Sequence, residues 1–264
     1  MVKNIIRYFQ VWKKLTVSSF LTYLTSRVAA TLFVIGKLFR FGSFIVFLLV
    51  IFTKTAALSN YTVTQVLFFF ITFNLVDTLS QLLFREVYSF RQMVVHGDFD
   101  LVLTKPMSPL FRVLVGGADP MDLAMMIPYI GALLYAAGNV GGISLVRIGI
   151  YLLLLVNGLF IAMSFHILVL ALAIVSTQVD NTIMIYRDLT NMGRVPIDIY
   201  REPLRSILTF VLPIGIMMTF PVKALLGLLS PGAIVFSFVL GIVFFLLCFR
   251  VWQFSLTHYA SASS

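Results

Sequence analysis

One cysteine, Cys248, stands in 264 residues. It excludes an intrachain disulfide and any multi-cysteine metal site, and it reads as a small side chain within an apolar run. Charge is scarce too, with only 11% of residues Asp, Glu, Lys or Arg. There is no GxxxxGK[ST] loop to cradle a phosphate; Gly36-Lys37 lacks the earlier glycine and sits in an apolar run. HExxH, GxSxG and paired carboxylates on a soluble scaffold are absent as well. The three histidines, His96, His166 and His258, lie in different segments. The chain alone therefore reads as a non-enzyme, with no metal site and no cofactor of its own. A cleavable secretory signal is not expected, because the first apolar run comes too late and is too long.

What is present is apolar sequence: 60% of residues are hydrophobic. It gathers into runs of about 20 residues, enough for a helix to cross the ~30 Å hydrocarbon core of a bilayer. Runs such as residues 44–52 show no alternation, so the spans are helices, which satisfy their own backbone groups in lipid. The expected fold is an all-α polytopic membrane protein of six transmembrane helices, forming one membrane domain over residues 1–264. The spans are expected at 32–52, 62–84, 120–137, 145–176, 206–220 and 233–249, with a kink at Pro128. The fourth is longer than a bilayer needs, so it tilts or projects.

Residues 1–25 read as an amphipathic helix. Lys3, Arg7, Gln10 and Lys14 form one stripe at helical spacing; Ile5, Phe9 and Trp12 form another, beside Tyr8 and Leu15. Such a helix lies in the membrane interface, basic face toward lipid phosphates; packing on the bundle is the alternative. The net charge of +9 does not call for nucleic acid, since Lys and Arg gather on cytoplasmic loops of membrane proteins. With the N-terminus inside, only Lys54, Arg147 and Lys223 of the 19 Lys and Arg fall outside, so both termini are expected in the cytoplasm.

Polar residues inside the spans are few: Arg40, Asn74, Asp77 and His166, together with Lys37 in the first span and Asn157 in the fourth. An ionised Asp near a helix centre costs roughly 2.5–3.5 kcal/mol, so Asp77 must meet protein, water or a cation. It is expected to pair with Arg40 or Lys37 at the same depth; the functional alternative is a carboxylate on a transport or proton path. A lone His such as His166 is more often bonded to a neighbouring helix. Residues 85–112 form the longest polar interruption of the first half. Its first part is helix-compatible, Gly97 can end that helix, and Asp98 can cap the next. Lys105-Pro106-Met107-Ser108-Pro109 then breaks the chain.

Four stretches resemble a known family. They are Gly97-Asp98-Phe99-Asp100-Leu101-Val102-Leu103-Thr104-Lys105-Pro106; Arg194-Val195-Pro196-Ile197-Asp198-Ile199-Tyr200; Thr209-Phe210-Val211-Leu212-Pro213 leading to Phe220-Pro221-Val222-Lys223-Ala224-Leu225-Leu226-Gly227; and the ending His258-Tyr259-Ala260-Ser261-Ala262-Ser263-Ser264. The chain is similar to the small six-span permeases of the type 2 ABC transporter (ABC exporter) superfamily. The ending departs at Ala260, where that branch commonly has Thr.

The resemblance implies that two permeases pair across a central path, as a homodimer or with a related permease. It places ABC ATPase subunits beneath, carrying the ATP and Mg. It makes the segment from Glu86 to Asp98 a coupling helix, with Glu86, Tyr88, Phe90, Arg91, Val94, His96, Gly97 and Asp98 as its ATPase-coupling residues. It points to a bacterial inner membrane. It also implies short re-entrant helices over residues 196–227 on the outer face, with the fifth span then at 181–195; Pro213 and Pro221 agree, whereas positive-inside counting prefers a span at 206–220. The wall of Phe, Leu and Met suggests a hydrophobic or amphipathic substrate. The alternative functions are an ion-coupled secondary transporter using Asp77, although no inverted repeat is visible, and a non-transporting membrane scaffold.

Overall fold

The computed structural model describes residues 2–25, 27–175 and 182–259, with side chains from residue 6 onward in the first helix. Lys3, Ile5 and residues 260–264 of the C-terminal resemblance thus lie outside the described side chains. No strand forms among the described residues.

Helix α1 (Val2–Thr25) leads into α2 (Arg27–Phe52). A tight turn follows, in which Leu58 and Tyr61 exchange backbone hydrogen bonds of 3.0 Å. Ser59 and Asn60 take left-handed φ of 49° and 68° there, a geometry that short polar side chains tolerate. Thr62 and Gln65 then form a capping box that starts α3 (Val63–Leu83). Three short helices follow: α4 (Val87–Val95), α5 (Asp98–Leu103) and α6 (Pro109–Leu114). Gly97, at φ 79°, makes the bend between α4 and α5, and Asp98 opens α5.

Next come α7 (Pro120–Asn139) and α8 (Leu145–Val175), joined by a short turn. α7 continues as one helix through Pro128. Helix α9 (Thr182–Asn191) and a 3-10 turn Met192–Arg194 carry the chain on to a second 3-10 turn, Ile197–Ile199. Then α10 (Leu204–Ser206), two π-helical turns and α11 (Phe220–Leu225) lead to α12 (Pro231–Thr257). Ser108-Pro109, Asp119-Pro120 and Ser230-Pro231 each start a helix in the same way. The polar side chain accepts a backbone N–H, and proline fills the first helical position, where no amide is needed.

Among the described residues five helices are long and apolar enough to cross a membrane: α2, α3 extended through α4, α7, α8 and α12. The bundle has two ends. The base holds α1 and α4–α6; the crown holds the α2–α3 and α7–α8 turns. α8 is the central helix, packed against α12, α3, α4 and α11. In lipid there is no water to drive helices together, so close fit decides. α8 shows it twice. A Cβ on Gly158 would meet the Met217 carbonyl at 2.8 Å, and one on Gly241 of α12 would strike the Asn157 amide. Asn157 donates to the Ser237 carbonyl at 3.0 Å, a polar tie across the same crossing.

A straight fifth span over residues 206–220 does not form. Leu204–Val211 and Gly215–Leu225 meet at 81°, broken at Pro213, which cannot continue the backbone bonds of a helix. Arg205 at the start of this bent pair and Lys223 near its end both reach Asp198. The pair therefore leaves from the crown and returns to it. The stretch from base to crown is made by α9 and the turn after it.

α2 and α12 expose most of their apolar surface, including Phe39 at 77% and Leu247 at 60%. That surface matches hydrocarbon, not water.

Candidate functional site

Polar side chains form three layers between base and crown, the lower two on α1, α2, α3, α7 and the turns after α3 and α9, the upper one on the α2–α3 turn, the Ile197–Ile199 turn, α10 and α11. The base layer is built on the start of α7, where the capping residue Asp119 and Asp122 of the first turn stand three residues apart and hence on one face. Both are buried. Lys37 of α2 pairs with Asp122, and Arg85, just beyond α3, bridges Asp119 and Asp122. Tyr23 of α1 donates to Asp119 at 2.9 Å and accepts from Arg85 at 3.2 Å. Burial and the bond to Asp119 push the Tyr23 phenol above its ordinary range.

The base layer holds α1 in place, and two further contacts help. Ala118 N–H donates to Thr16 Oγ1 at 3.1 Å, and Ser108 N–H donates to the Tyr8 hydroxyl at 3.1 Å. Gly117 lies so near the Leu15 carbonyl that no Cβ fits. The packed stripe of α1 is thus Tyr8, Trp12, Leu15, Thr16 and Tyr23. Trp12 belongs to this stripe and not to the free apolar one, which is Ile6, Phe9, Val17, Leu21 and Leu24. Packing on the bundle and an exposed apolar face coexist in one helix.

The middle layer lines a small cavity of about 40 Å³ shared by Arg40, Asn74, Asp77, Thr78, Gln81, Tyr129 and Arg194, with Phe41, Phe44 and Phe70. The expected pair of Asp77 with Arg40 or Lys37 does not form. Asp77 accepts from Gln81 Nε2 at 2.8 Å, one turn away on its own helix. Lys37 is drawn to Asp122, which is buried and starts the helix beside it. Lys37 and Arg40 line the same cavity as Asp77 without pairing with it. Arg194 lies over the Phe44 and Phe73 rings, at 5.9 and 5.7 Å. Asn74 bonds the Phe70 carbonyl of its own helix at 2.7 Å. His166 is away from this layer, wholly buried between Phe84 and Tyr186; its Nδ1 donates to the Ala162 carbonyl at 2.7 Å.

The crown layer centres on Asp198. It accepts from Tyr61 at 2.8 Å, and pairs with Lys223 at 2.7 Å and Arg205 at 2.8 Å. Ser59 bonds its backbone carbonyl at 3.1 Å. Burial opposes the Asp198 charge. The bonds from Lys223 and Tyr61 and the two cations outweigh it and hold the carboxyl below the usual carboxylate range. Burial and the same carboxylate push the Tyr61 phenol up. A crown cavity of about 450 Å³ opens beside Ser59, Tyr61, Asp198, Arg205 and Lys223.

At the base, α4 and α5 form a knuckle. Phe90 and Phe99 meet edge to face at 5.0 Å and rest on Trp252, with Tyr259 against Phe99 at 5.1 Å. Glu86 pairs with Arg112 of α6 at 2.9 Å. The coupling residues named from resemblance divide here. Phe90 and Val94 are buried against the bundle, Tyr88, Arg91 and Gly97 are half-buried, and His96 and Asp98 are exposed, beside Val95 and Leu101.

A family profile described as ABC-2 family transporter protein matches residues 37–263. The chain belongs to that family. As an ABC-2 protein it is a transport membrane subunit of an ABC transporter and is not itself catalytic, and the family works with an ABC ATPase subunit. The match begins within α2, so α1 lies outside it. Neither the search of curated proteins nor that of solved structures gave a match.

Sequence reasoning missed Asp119, Asp122, Arg85, Arg194 and Asp198. Asp119-Pro120-Met121-Asp122 reads as an ordinary helix start, and Asp119 does cap α7, accepting from Met121 N–H at 2.8 Å. The available signal was the second acid, three residues on, at the mouth of an apolar span.

Proposed function

We propose that this ABC-2 subunit is the membrane half of an ATP-driven exporter in a bacterial inner membrane, with its base and both termini in the cytoplasm and its crown outside. Two copies, or this chain and a related permease, enclose the path, and an ATPase carrying ATP and Mg docks beneath. The observation that supports coupling is the α4–α5 knuckle. Its inner side is clamped by Phe90, Phe99 and Trp252, while its outer side offers Val95, His96, Asp98 and the 62%-exposed Leu101. A rigid knuckle with an exposed apolar tip transmits a push better than a solvated loop does. The bent pair acts as a re-entrant element at the outer end of the path, tied to the crown by Asp198.

The test is affinity purification of the full chain from native membranes in mild detergent, with cross-linking before solubilisation. A stoichiometric protein bearing a phosphate-binding loop is expected, and Leu101→Asp should lose it while keeping the monodisperse fold. If no ATPase appears with or without cross-linking, the exporter reading fails and Asp77 becomes the lead for an ion-coupled carrier. A cysteine at Arg201, in a Cys248→Ser background, should react with an impermeant maleimide from outside; protection from outside would invert the orientation.

A further inference from the structure

The three layers differ in charge balance. In the base layer two cations face two carboxylates, Lys37 and Arg85 against Asp119 and Asp122. In the middle layer Lys37, Arg40 and Arg194 line one cavity with a single carboxylate, Asp77, and Lys37 is taken up by Asp122. Among the described residues neither Arg40 nor Arg194 makes an ion pair; Arg194 donates to Asn191 Oδ1 at 2.8 Å. Arg40 lies half-way along α2 and is exposed. A cation at that depth costs roughly 2.5–3.5 kcal/mol on insertion scales unless it meets a counter-charge. The cavity beneath it is too small for a ligand to enter, so an anion would sit at its mouth, beside Arg40.

The surroundings specify more than charge. Guanidinium groups take oxyanions by two parallel hydrogen bonds. Of the cavity's lining, Phe70, Tyr129, Thr78 and Asn74 are enclosed, while the rings of Phe41 and Phe44 are only half-buried, on the same helix as Arg40. We propose that Arg40 of α2 and Arg194 of the turn after α9 form a binding site for the acidic head of an amphiphile, a phosphate or carboxylate joined to an apolar body that rests on Phe41 and Phe44. This rests on the reading of the chain as a transport subunit and names the substrate class for it.

The experiment measures retention of dodecyl phosphate by the full-length protein in neutral-detergent micelles, using native mass spectrometry and thermal shift. Dodecyl trimethylammonium and inorganic phosphate are the comparison probes. Dodecyl phosphate should bind and raise the melting temperature, and the other two should not. Arg40→Gln and Arg194→Gln should each weaken binding about tenfold, with Arg40→Lys losing less and Arg250→Gln, an exposed cation on α12, losing nothing. Size-exclusion profiles exclude misfolded variants. Equal binding of the phosphate and ammonium amphiphiles, or wild-type binding by folded Arg40→Gln, would overturn the site. Inorganic phosphate binding as tightly as dodecyl phosphate would overturn the amphiphile and leave a free-anion site. The assay needs no ATPase, so a negative result here with a co-purifying ATPase sinks this inference alone.

Discussion

The base layer and the middle layer are built from the same side chains, yet they are put together differently. At the base each carboxylate has its cation, the acids are wholly enclosed, and four helices are tied at one point. In the middle, arginines outnumber the acid, and the acid is satisfied by a neighbouring amide. A closed, balanced cluster has no charge left for a ligand and can only hold helices together. An open, unbalanced one holds helices poorly and is left with charge to spend on something that passes.

Removing charge from each layer in turn separates the two roles. The largest loss of stability is expected from Asp122→Asn, which leaves Lys37 and Arg85 without their shared buried partner. Breaking a buried pair typically costs about 3–5 kcal/mol, read as a fall in melting temperature and in yield of monodisperse protein. Asp198→Asn comes next, at about 1.5–3 kcal/mol for bonds to a charged group. Its effect should depend on pH. The folded-state carboxyl is held low, so its contribution is fully present above the unfolded value near ~3.9 and is lost as pH falls through the folded value. Wild type and Asp198→Asn should therefore differ at pH 7 and converge in strong acid.

Gly117→Ala drives a methyl into the Leu15 backbone and should cost about 1–3 kcal/mol. Limited proteolysis should then cut α1 first and leave the bundle whole, showing the clasp apart from the ion pairs. Smallest of all, Arg40→Gln should leave melting unchanged or slightly raised, because it removes a charge with no ion-pair partner. Transport should fall all the same. If Arg40→Gln destabilised as much as Asp122→Asn, the distinction between the layers would be lost.

The apolar runs made the long helices legible, and the boundaries held within a few residues for α3 and α8. Those helices carry strong signals at their ends, such as the Thr62–Gln65 capping box. The bent pair was less legible. Positive-inside counting failed there because Arg205 and Lys223 are held at the crown by Asp198, so their charges report a local pairing and not the side of the membrane. The sequence singles out Asp77 as an acid within an apolar run, but not the amide it bonds. Which cation lies nearest depends on how helices rotate against one another, and a single sequence carries no record of that. Asp122 took Lys37 because α7 packs beside α2.

Asp198 grips Arg205 and Lys223, one near each foot of the bent pair. That draws the two feet together like the string at the neck of a bag, while the Met217 carbonyl against Gly158 seats the bend on α8. Splaying the feet means surrendering an ionic bond, and lifting the cap means leaving that seat, so the crown resists the two motions by different means.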